Sequence, residues 1–115
     1  MVSDLIAFLR ARWDTEARDA QELLDDNQES RTSTGYGSTL WDEQDLEARW
    51  TLRDVEAKRK ILAALESARK DLDGVGEAGL DAVMYVGKVS ALRDVVSALA
   101  EPYADHEDYR EEWRP

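Results

Sequence analysis

"WDEQDLEARWTLRDVEAKRKILAALESARKDL", Trp41 to Leu72, runs without a proline or glycine and is rich in Ala, Leu, Glu, Lys and Arg. These side chains give up little rotamer freedom in a helix, so propensity allows one unbroken element of about 30 residues and about 45 Å. Thr39 supplies an N-cap, with Asp42 three residues on in an approximate capping box. The apolar positions form two overlapping rows: Leu46, Trp50, Ala57, Ile61, Ala64 and Ala68, and Leu52, Val55, Leu62 and Leu65. A double row predicts contact with more than one neighbour. Gly74, Gly76 and Gly79 then end the helix and make the turn.

Working outward, Ser3 reads as the N-cap of a first helix over about residues 3–25, with Asp4 in its first turn. Leu5, Ile6, Leu9, Trp13, Ala17, Ala20 and Leu24 recur every three or four residues and place one stripe on a core. Between the helices, "DDNQESRTSTGYGST" offers turns and side-chain bonds in place of a helix. It reads as a loop over 26–39, mobile or clamped by Tyr36. The second helix is then expected over about 40–72 and a third over 80–101, stopped by Pro102.

The third helix is apolar nearly all round. Leu80, Met84, Val95 and Leu99 fall on one side, and Val86, Val89 and Val96 toward the opposite one. Such a helix is buried, which in a three-helix chain needs a covering tail or a second copy of the protein. Gly87 in its interior costs about 1 kcal/mol relative to Ala, a cost usually tied to close backbone approach. Two readings follow: a homodimer whose face holds Val86, Val89 and Val96, or a monomer closed by its own C-terminus.

Composition sets the class. At 43% hydrophobic and 36% charged residues the chain is too apolar for disorder and too charged for a β-sandwich core. The 115 residues suit a single helical domain over 1–115. The absence of cysteine excludes disulfides, thiolate metal sites and a cysteine nucleophile, and suits a reducing compartment. No run approaches the roughly 18 apolar residues of a membrane span, so a cytoplasmic protein without a membrane partner is expected. The net charge of −11 divides as −5 over 1–30, 0 over 31–72, −2 over 73–100 and −4 over 101–115. Acidic ends repel phosphate, so no nucleic-acid partner is expected, and Lys58-Arg59-Lys60 reads as a solvated helix face.

The ending "PYADHEDYREEWRP" places Tyr103, His106, Tyr109 and Trp113 where most chains fray. Their rings can lie on an apolar groove and keep a polar tip in water, which predicts a docked clasp over 102–115. Asp105 can cap a short helix from His106, putting Tyr109 and Trp113 on one face at a spacing of four. A binding epitope for a protein partner is the competing reading.

The ending, from Pro102 through Trp113, together with "DLIAFLRAR" and "RDVEAKRKIL", resembles a family of small uncharacterised actinobacterial proteins, notably from streptomycetes. Its members close with Pro-Tyr-Ala-Asp-His-x-Asp-Tyr-Arg-Glu-Glu-Trp, and the match covers rather over a third of the chain. The resemblance implies a shared fold element and no mechanism. Many relatives carry cysteines and further histidines ahead of this ending, and a zinc site is not carried over to a chain whose one histidine is His106.

Chemistry is thinly signalled. No Gly-x-Ser-x-Gly elbow frames a serine, and Asp105, His106 and Asp108 are too close in sequence to converge on a metal unaided. Glu43 with Glu47, or with Asp42, has the one-turn spacing that all-α, magnesium-dependent nucleotide pyrophosphohydrolases use. A matching pair on the third helix is missing, because Asp81 and Asp94 stand alone. The pattern predicts an all-α fold, a three-helix antiparallel bundle with a long middle helix and a docked aromatic tail. The expected function is a non-enzymatic interaction or regulatory module without cofactor. The alternatives are the pyrophosphohydrolase and, third, an acidic mimic of nucleic acid.

Overall fold

The computed structural model describes residues 2–34, 39–75 and 79–115, with side chains given outside 32–34, 39–41 and 80. Three helices carry the fold: α1 (Val2–Thr34), α2 (Thr39–Val75) and α3 (Leu80–Ala100). Short 3-10 turns follow at Glu101–Tyr103 and Glu111–Trp113. The helices pack on one another as an all-α bundle, α1 on α2 and α2 on α3. No described helix is long and apolar enough to cross a membrane. Gly79 precedes α3 at φ +102°, a backbone angle that a side chain would strain.

Two compact units are formed, one of residues 10–58 and one of 1–9 with 59–115. In the first, α1 and α2 run antiparallel: Arg31 meets Asp42 while Ala20 and Ala48 share a groove further along. Its core holds Trp13, Ala20, Ala48 and Val55, with Trp13 and Val55 fully shielded. In the second unit, Leu62, Leu65 and Ala68 of α2 and Val96 and Ala100 of α3 are buried, beside Leu5, Ile6, Phe8 and Leu9 of α1. Each large aliphatic side chain there contributes about 1.5–3 kcal/mol by leaving water.

Of the two rows on α2, the structure buries Val55, Leu62 and Leu65 of one and Ala68 of the other, whose Leu46 and Trp50 stay largely exposed. The row reading counted apolar side chains, and periodicity cannot say which row finds a partner.

Three boundary expectations change. α1 begins at Val2, so Ser3 sits within it. The expected loop over 26–39 is helical as far as Thr34, and residues 35–38 with Tyr36 lie outside the described part. α2 continues past Leu72 to Val75. The physical reason for the longer α1 is polar: Asn27 and Arg31, one turn apart, continue the inward stripe and bond to α2. A search for apolar periodicity stops where buried polar groups take over the same face.

The tail also differs in detail. No helix forms from His106; turns run to Asp108, and Arg110 is extended at φ −107°, ψ 133°. The His106 ring takes over a backbone partner, its Nδ1 accepting the Asp108 N–H at 3.0 Å. A side chain that binds a nearby backbone donor stabilises a turn against a helix.

Candidate functional site

Phe8 organises the C-terminal clasp. It is buried on the first turns of α1, and four tail rings surround it with centroids at 6.0 Å for Tyr103, 5.5 Å for His106, 6.2 Å for Tyr109 and 5.0 Å for Trp113. Three of these pairs are edge-to-face, which places a ring's positive rim on its neighbour's negative face. Tyr109 and Trp113 also meet edge-to-face at 5.5 Å, without the helix expected to join them. All four predicted clasp residues therefore converge, on a phenylalanine that the periodicity of α1 did not single out. Its signal was available: Phe8 stands three residues after Leu5 on the same side of the helix.

An exposed ion pair also joins the tail to α1. Arg110 Nη1 donates to Asp4 Oδ2 at 3.1 Å, and its guanidinium lies 5.8 Å from the Trp113 ring centroid. Both members of that ion pair are about half exposed, where such pairs are worth at most about 1 kcal/mol. The Trp113 Nε1 and the Tyr109 hydroxyl are buried without a hydrogen-bond partner among the described residues. Ring packing holds the tail against that desolvation cost.

A second cluster joins α1 to α2. Asn27 and Asp45 are each 6% exposed, and Asn27 Nδ2 donates to Asp45 Oδ1 at 3.0 Å. Arg31 bonds the other Asp45 oxygen through Nη1 and donates from Nη2 to Asp42 Oδ1 at 2.8 Å. The Arg31 bond, reinforced by Asn27, holds the Asp45 carboxyl below the ordinary aspartate range. Asp45 in turn raises the Arg31 pKa. Every oxygen of the buried carboxylate is satisfied, which makes this a register device between two helices. The sequence reading passed over it, because neither Asn27 nor Asp45 belongs to an apolar pattern.

The carboxylates weighed for magnesium separate. Asp42 is tied to Arg31, while Glu43 and Glu47 are exposed on α2. Glu47 faces Glu16 and Asp19 across a shallow groove of about 380 Å³ whose floor is Ala20, Leu23 and Ala48. Glu43 does not line this groove. Among the described residues no three His, Cys, Asp or Glu side chains are grouped to hold a metal ion.

The proposed dimer face on α3 is split by the structure. Val89 and Val96 are 6% and 0% exposed, on the inward stripe with Ala82 and Ala100, while Val86 is 54% exposed. A helix apolar all round carries no signal for its own rotation; packing inside the unit chose it. The outward face instead presents Val83, Met84 and Val95, with open space beside Gly87.

The family model for a family of unknown function, DUF6221, matches residues 2–115. The chain belongs to that family. For DUF6221 the match spans α1, α2, α3 and the aromatic clasp, and not the ending alone. No curated protein and no solved structure matches the chain.

Proposed function

We propose that the protein is a non-enzymatic interaction or regulatory module that meets a protein partner through the outward face of α3, a second copy of the chain being its occupant. The observation that carries this reading is the exposure of Val83 (71%) and Met84 (66%) on one helix, where isolated apolar residues would be unremarked but a joined set marks a contact site. Met84, Gly87, Ala91, Val95 and Ala98 follow one another at three- and four-residue steps, leaving a shallow strip that a second helix can approach closely. Within α3 the charges Asp81, Lys88, Arg93 and Asp94 sum to zero, so this face pairs with itself without the repulsion that a net charge of −11 brings elsewhere.

Light scattering on the full chain tests the reading. A dimer that Met84→Glu with Val95→Glu converts to a folded monomer is the expected result. A wild-type monomer at high micromolar concentration removes the second copy, and a dimer unaffected by the pair of substitutions moves the contact off this face.

A further inference from the structure

The outward face of α2 in the unit of residues 10–58 raises a separate question. Leu46 and Trp50 are 67% and 66% exposed, one turn apart, on the face opposite buried Asp45, Ala48 and Val55. Arg49, Arg53 and Ala57, all exposed, lie on the same stripe at three- and four-residue steps. The chain carries 26 acidic and 15 basic residues, so a cation here has many candidate partners. Nonetheless neither Arg49 nor Arg53 forms an ion pair with a described residue: Asp42 and Asp45 are taken by Arg31, and Asp54 by Lys58. Arg49 acts on Asp45 only through its field. By helical register Glu43, Glu47 and Asp54 lie along one edge of this stripe and Glu56 along the other, so the band between them carries Arg49, Arg53 and the apolar side chains.

We infer that Leu46, Arg49, Trp50, Arg53 and Ala57 form a docking surface for an acidic amphipathic helical segment of a partner protein. The stripe spans about 17 Å, three turns of helix, which is the length a short helical segment covers. Carboxylates one turn apart on the partner meet Arg49 and Arg53, which are themselves one turn apart, and the partner's apolar side chain takes Trp50 and Leu46 out of water. Tryptophan and arginine are the residue types that dominate binding energy at protein interfaces, and arginine's planar fork suits carboxylate pairing. Phosphate would suit the two guanidiniums as well. A nucleic acid is disfavoured because its many charges meet the whole acidic chain, whereas a short peptide meets only the stripe. This surface is independent of α3.

The test is a library of displayed twelve-residue helical peptides, panned against the full-length protein and scored for binding to Arg49→Glu/Arg53→Glu and Trp50→Ala, with single-stranded oligo-dT as a second probe. The variants change only exposed positions, and matching thermal melts establish that they fold. The expected result is enrichment of peptides combining Asp or Glu with a large apolar residue. Their binding to either variant weakens at least tenfold, and Lys-for-Glu versions of the peptides regain the charge-reversed protein. Enriched peptides that are basic, that bind the variants as well as wild type, or that do not rise above background overturn the inference. Oligo-dT binding that the arginine reversal abolishes, with no peptide enriched, assigns the surface to nucleic acid instead.

Discussion

Phe8 and Trp113 pack as a tilted pair with ring centroids 5.0 Å apart and planes inclined at 44°, joining the first turns of α1 to the C-terminal tail. Trp113 is only 6% exposed, so this tail residue belongs to the core. Without Trp113 the ring of Phe8 loses the nearest of the four tail rings around it.

Trp113→Ala is therefore expected to cost about 3–5 kcal/mol and to lower the melting temperature by roughly 10–20 °C. Phe8→Ala should cost a similar amount, and the double substitution less than the sum, because the two share one cluster. Circular dichroism melts of the three variants decide it; an unchanged melt for Trp113→Ala would show that the tail is not part of the core.

Arg110→Ala separates ring packing from charge in the same clasp. The Arg110–Asp4 pair is exposed, so its loss should cost less than about 1 kcal/mol. A loss as large as that of Trp113→Ala would mean that the ion pair, and not the rings, holds the tail. Urea unfolding midpoints give the comparison.

Asp45 makes stability depend on pH with a definite sign. Its carboxyl releases its proton more readily folded than unfolded, so its contribution is complete above the ordinary aspartate range near pH 4 and is lost as pH falls through the lower folded-state value. Asp45→Asn should melt several degrees below wild type at pH 7, with the gap closing under acid. A gap that stays constant down to pH 2 would mean that the carboxylate charge is not what Arg31 and Asn27 stabilise.

The rotation of α3 can be tested with paired substitutions. Val96→Asp buries an unpaired charge and should leave little folded protein at 25 °C. Val86→Asp places the same charge in water and should stay within about 0.5 kcal/mol of wild type. Far-ultraviolet circular dichroism of the two reads the outcome, and equal tolerance would refute the assigned inward face.

Local chemistry along the chain determined the fold class and the approximate place of all three helices. An uninterrupted Ala, Leu, Glu, Lys and Arg run makes a helix of α2 whatever surrounds it, and Pro102 stops α3 because it has no N–H to continue the ladder. The clasp residues were legible too, since such rings can lie on an apolar groove and keep a polar tip in water. Three features were decided only by tertiary structure. Which apolar side chains of α2 are buried, which way α3 turns, and how far α1 extends all depend on a neighbour's surface. Periodicity measures how apolar a face is and carries no record of its partner, and at Asn27, Arg31 and Asp45 the partner is polar. Their hydrogen bonds exist only once the two helices lie side by side, so the last turns of α1 owe their helical form to packing and not to composition.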